Sequence, residues 1–214
     1  MPNKSPHLIL GSIIASRSNM LEGLTKEELI DQLNSVFRHV TRNGGVSWSE
    51  AWVIDDYGST KTERELARAK DEEKNWMEVA NNPDWLNPPL VSLSPWGFLD
   101  DIGFRYYLAA AIARDIIVGK ERLDPSFFCP RSLNFGNRYL LPQERTFIAQ
   151  YVQYKSEIPK RNALMAVLDE ADMTFEQYLE SGETWTPEAW SDWSEPLEYW
   201  KQFLPPNSRL PTPN

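Results

Sequence analysis

Cysteine is almost missing from this 214-residue chain, where Cys129 stands alone. No intrachain disulfide can form, and a zinc site built on several thiolates is excluded. Histidine is nearly as scarce: His7 and His39 lie far apart, with no partner motif around either. There is no HExxH, no P-loop, no glycine fingerprint and no nucleophile paired with a histidine base. The sequence therefore points to no catalytic residue, no metal and no cofactor. Basic charge is also short, since 22 Lys and Arg face 31 Asp and Glu for a net charge of -9. Nucleic acid and anionic membrane surfaces are recognised by basic stripes, so neither is an expected partner. The one candidate targeting run, LILGSIIA at residues 8–15 behind Lys4, is broken by Gly11 and Ser12. It is a weak signal sequence at best and far too short to span a membrane, which leaves a cytoplasmic protein as the expectation.

What the chain does have is aromatic mass and helix signals. Nine tryptophans each require either packing or a partner. Apolar residues at 41% with charged residues at 25% describe a globular protein rather than a disordered one. In TKEELIDQLNSVFRHVTRNGG, Thr25 and Glu28 form a capping box, and Leu29, Ile30, Leu33, Val36, Phe37 and Val40 follow at helical spacing, with Gly44 and Gly45 as the stop. Ser47 with Glu50 and Thr60 with Glu63 repeat the signature. The second box opens a helix carrying Trp48, Ala51 and Trp52, and the third opens the charged stretch whose apolar stripe is Leu66, Ala69, Trp76 and Ala80. Residues 81–97 are rich in Pro and Asn and read as a long crossover pinned by Trp85 and Trp96. Asp100 is the expected N-cap of a helix over 100–118, the most buried of the fold. Pro142 suits the first turn of a helix with Phe147, Ile148, Tyr151 and Val152 on its face, and Pro159 starts another.

The fold class is all-α: an irregular single-domain bundle of about six to eight helices with long Pro-rich connections. The expected domain spans residues 21–205, between an N-terminal segment 1–20 and a loose tail 206–214. Within it, 21–155 form the core and 156–205 the aromatic and acidic C-terminal helices.

The succession EAWVIDDYG, ARAKDEEKNW and FLDDIGFRYYL resembles the core pattern of an uncharacterised bacterial family of unknown function, family 6714. The resemblance covers about residues 27–155 and is most specific at FLD followed by GFRYYL. It implies a shared fold and imports no activity. The family pattern carries a proline after the FRYYL leucine where this chain has Ala109, so the kink implied by that proline is not expected here.

Arg105 is the odd residue of that helix. At about 100° per residue, Leu108, Ala109, Ile112 and Ile116 surround it on one apolar stripe. A guanidinium in such a place cannot lose its proton, so it must be paired. Asp101 lies one turn earlier, Glu73 interrupts an apolar stripe, and Asp55 and Asp56 sit at a helix C-terminus where carboxylates are disfavoured. The expectation is an interior charge network with Arg105 as hub, joined to Asp101 and to at least one of Asp55, Asp56 or Glu73. A structural role is favoured over a catalytic one, because ion-pair networks perturb charges without doing chemistry.

The second unusual feature is TWTPEAWSDWSEPLEYWKQFLPP, where Trp190, Trp193 and Trp200 share a face ringed by Asp192, Glu195 and Glu198. Helix-spaced aromatics most often dock on a core; exposed, they would form a partner surface, since tryptophan is a favoured hot-spot residue. The functional expectation is a non-catalytic protein that binds another, basic protein, such as an inhibitor or a toxin-neutralising immunity-type protein. The alternatives are a small enzyme using the Arg105 network and a carbohydrate-binding module using the tryptophans.

Overall fold

The computed structural model describes residues 25–56, 59–71, 74–83, 85, 95–118, 123, 125–129, 139–170, 177 and 193–206. Among these the secondary structure is entirely helical, as expected. The seven α-helices are α1 (Lys26–Phe37), α2 (Trp48–Asp55), α3 (Lys61–Arg68), α4 (Trp76–Asn81), α5 (Asp101–Val118), α6 (Pro142–Glu170) and α7 (Ser194–Trp200). Each of the three capping boxes forms with both of its reciprocal bonds, at Thr25–Glu28, Ser47–Glu50 and Thr60–Glu63. The local chemistry that starts α1, α2 and α3 is thus complete before any tertiary contact is considered.

Where the helices stop is less local. α1 ends at Phe37, short of the glycine pair, because Val40 and Arg42 must turn inward and are buried. The glycines serve the loop instead. Gly44 has φ +80, and a Cβ on Gly45 would stand 2.8 Å from the Cβ of Ile102. A Cβ on Gly103 would stand 2.2 Å from the carbonyl oxygen of Val46, so loop and helix touch backbone to backbone at the start of α5. Asp100 fastens this contact, its Oδ1 accepting from Gly103 N at 2.8 Å and from Val46 N at 3.0 Å. The GF of the FLD…GFRYYL pattern is therefore the point where a side chain would not fit.

The expected stripe from Leu66 to Ala80 does not lie on one helix. α3 and α4 are separate; Leu66 is 64% exposed, Ala69 is exposed, and only Trp76 and Ala80 are buried. α6 also departs from expectation, running through Pro159 as one helix. Proline's fixed φ is helical, so the chain can continue, although the ring removes one hydrogen bond and crowds the carbonyl four residues back. The candidate face Leu164, Val167 and Leu168, the apolar run 8–15, and residues 207–214 of the tail lie outside the described side chains.

α5 is the axis of the bundle. Every residue from Tyr106 to Ile116 is buried, and the helix passes unbroken through Ala109. Ala109, Ala110, Ala111 and Ala113 keep its flanks narrow, so α1 and α4 pack directly on it. α1 also packs on α6, where Phe37 meets Phe147 edge to face at 6.0 Å. α7 lies along α6. No helix among the described residues is long and apolar enough to cross a membrane.

Candidate functional site

Arg105 is paired, but with a residue absent from the expected network. Its Nε donates to both carboxylate oxygens of Glu144, at 3.0 and 3.1 Å, and its Nη2 also reaches Oε1. Glu144 is fully buried, while the Arg105 side chain keeps 22% of its surface in water. Glu144 is the third residue of α6, and its Oε2 accepts from Leu141 N at 2.8 Å. This is half of a capping box: the glutamate reaches back as usual, but leucine stands where serine or threonine would complete the motif.

The proposed hub is therefore corrected. Asp101 is exposed at the start of α5 and Asp56 is exposed after α2, while Asp55 is partly exposed, and Arg105 contacts none of the three. Glu73 lies outside the described residues. The physical reason is reach. A guanidinium on the flank of a central helix finds a carboxylate on the neighbouring helix with better geometry than one a turn along its own, where the acid points back to solvent.

A second pair joins the same two helices further along, and it is sealed. Asp115 Oδ2 accepts from Lys155 Nζ at 2.8 Å and from Tyr151 Oη at 2.8 Å, while Oδ1 accepts from Leu123 N at 3.3 Å. Asp115, Tyr151 and Lys155 are all buried, and the indole of Trp193 lies 5.8 Å from the ammonium. Burial, then the neighbouring Asp115 charge and the hydrogen bond to it, push the Tyr151 phenol well above its ordinary range. The order of partners, 105 with 144 and 115 with 155, makes α5 and α6 parallel.

A third group of charges lies at the other side of α5, around the start of α2. Glu50 is buried and held by Arg68 in a two-bond pair at 2.7 and 2.9 Å, which moors α3 onto α2. Asp71 accepts from Ser49 N and Oγ at 2.7 and 2.8 Å. Arg42, fully buried, donates to the carbonyls of Gly45 and Asp71. Arg114 crosses to α4 and its exit, donating to the carbonyls of Ala80 and Pro83 at 2.9 and 3.1 Å. Interior charged groups do link several helices, but in separate contacts, and apart from Arg105 none of them involves a residue expected of the network.

The C-terminal tryptophans are likewise corrected. Trp193 is 2% exposed and Trp200 is fully buried, with the Trp200 indole donating to Phe128 O at 2.9 Å. They dock α7 on the bundle, because an aromatic stripe beside a helical groove gains more from burial than from water. Glu195 and Glu198 remain exposed; Trp190 and Asp192 lie outside the described residues. The exposed tryptophan on the described surface is Trp52, at 47%, with Leu66 at 64% on the adjoining helix.

Chemically, these ion pairs tie helices together. No group of three or more His, Cys, Asp or Glu placed to hold a metal ion occurs among the described residues. A shallow groove of about 350 Å³ between α1 and α6 presents the amides of Gln32, Gln143 and Gln150 and the hydroxyl of Ser35 over Phe147, with no charged side chain in its lining.

No curated protein and no solved structure matches the chain. One family model does, over residues 25–202, reaching beyond the span on which the resemblance of the sequence rests to include α7. The match covers every described helix and most of the chain, and this protein belongs to that family of unknown function, DUF6714.

Proposed function

We propose that this protein works by binding another protein rather than by catalysis, and that its contact surface is centred on Trp52. The observation that carries this reading is the pair Trp52 and Leu66, exposed on α2 and α3, two helices that pack against each other. Large apolar side chains left in water on adjoining elements mark a surface kept for a partner, and tryptophan is among the residues that supply most binding energy. Asp55 and Asp56 follow Trp52 at the end of α2, and Glu63 and Glu65 lie on α3. With a net charge of -9 over the whole chain, the complementary partner is basic. Acidic rims speed association with such partners and weaken as salt rises. An inhibitor or an immunity-type protein is the class of binder that fits.

The test is affinity capture from native cells with the full chain and with Trp52→Ser. A basic partner bound in stoichiometric amount, released faster at high salt and lost with the variant, supports the reading. An unchanged complex with Trp52→Ser, at an unchanged melting temperature, overturns the placement of the surface.

A further inference from the structure

Four rings gather where the start of α2 meets α5. Trp48 lies 5.4 Å from Trp85, 5.1 Å from Trp96 and 5.4 Å from Tyr107, and Trp85 is 5.9 Å from Tyr107. Three of them bring polar hydrogens inside. The indole nitrogens of Trp85 and Trp96 are buried and have no hydrogen-bond partner, and the buried hydroxyl of Tyr107 meets the Trp48 backbone amide as an acceptor, which leaves its own hydrogen without one. Elsewhere the fold serves its buried indoles: Trp76 donates to Phe37 O at 3.1 Å and Trp200 to Phe128 O at 2.9 Å. Buried donors are nearly always satisfied in folded proteins, so three unpaired ones within a single ring cluster ask for an acceptor from outside the chain.

The surroundings define what that acceptor is. All three groups donate, so the ligand must accept. Arg42 and Asp71 act on Tyr107 with opposite signs, and burial, then Asp71, raise its hydroxyl far above the phenol range, outweighing the Trp48 backbone hydrogen bond and Arg42. An anion placed there would meet the field of Asp71, whereas a carbonyl oxygen would not. The ring walls favour an apolar body. Trp48 and Trp85 are partly exposed while Trp96 and Tyr107 are buried, which gives the cluster an outer and an inner side. Trp85 is the ring of the four not carried by a helix or helical turn.

We propose that the Trp48–Trp85–Trp96–Tyr107 cluster is a binding site for a small neutral molecule that presents a carbonyl oxygen to these donors and an apolar body to the rings. The site is separate from the Trp52 surface, and either can fail without the other.

Three probes of matched size test it on the full chain labelled at the indole nitrogens: neutral acetanilide, anionic benzoate and cationic phenyltrimethylammonium. Trp85→Phe and Trp96→Phe assign the two N–H resonances. The expected result is a saturable downfield shift of both with acetanilide alone, at roughly tenfold lower affinity in Trp85→Phe. No saturable shift with acetanilide, or equal shifts with all three probes, overturns the proposal. Tyr107→Phe provides the second reading, because it removes only the hydroxyl. Weaker acetanilide binding, with the protein still folded by its indole spectrum, supports a hydroxyl hydrogen open to the ligand; unchanged acetanilide affinity in Tyr107→Phe overturns it.

Discussion

Two ion pairs bridge α5 and α6, roughly three turns apart along each helix, and they live in different media. Arg105–Glu144 stands at the rim, with 22% of the arginine side chain in water; in Asp115–Lys155 the two side chains keep only 1% and 6%. At the rim the buried carboxylate of Glu144 is served by the guanidinium and a backbone amide, and water reaches only the arginine. In the interior the protein supplies everything: a phenol, an ammonium, an amide and an indole face. Desolvation is the dominant cost of a buried pair, and it is recovered only when every lone pair and proton has a partner. The comparison teaches that equal chemistry on the same two helices carries unequal risk, decided by whether water can replace a lost partner.

The largest effect should come from Asp115→Ala. It strands the Lys155 ammonium where little water reaches, and urea unfolding should show a loss of about 3–5 kcal/mol. A loss no greater than that of the rim variant would break the distinction. Trp193→Ala removes the indole over Lys155 together with a large core side chain, at about 3–5 kcal/mol. A double-mutant cycle with Lys155→Met should show coupling, since the second change leaves no charge for the indole to cover. Arg105→Met should cost less, about 1.5–3 kcal/mol, because Glu144 keeps the amide of Leu141 and water can enter where the guanidinium stood.

The smallest effect is one of pH and belongs to the sealed side alone. Tyr151 is held protonated above its ordinary value of about 10. The unfolded chain releases that proton first, so the stabilisation is whole below about pH 10 and is lost as pH rises beyond it, by about 1.4 kcal/mol per pH unit. Alkaline titration followed by tyrosinate absorbance should show this phenol ionising with unfolding, and Tyr151→Phe should reduce the slope, leaving the share that belongs to Tyr107. The rim pair has no such group, so Arg105→Met should leave the alkaline slope intact.

How much of this could be read from the sequence depends on how far each signal reaches. Thr25, Ser47 and Thr60 each specify a bond three residues away, and all three formed. Arg105 was legible as a cation in need of an acid, but its partner is 39 residues on. The clue to Glu144 was its place behind Pro142 at a helix start, muted because Leu141 offers no capping oxygen. Asp115 was a clearer signal left unused, a carboxylate in the C-terminal half of an apolar helix. Trp193 and Trp200 are buried together at α7, yet periodicity says which residues share a face and not what covers it. Trp52, four residues after Trp48, gave no warning that one ring would pack among others and the next be left in water.

The parallel run of α5 and α6 has a consequence in time. Parallel neighbours cannot be joined by a tight turn, so the chain must travel back along the bundle before Glu144 can meet Arg105. Asp115 and Lys155 are 40 residues apart in sequence, and Trp200 and Phe128 are 72 apart. Such contacts form only after a long loop has closed, and loop closure opposes them until the surrounding core is in place. The pairs that hold the finished bundle together are thus among the last to form, and their loss speeds unfolding far more than it slows folding.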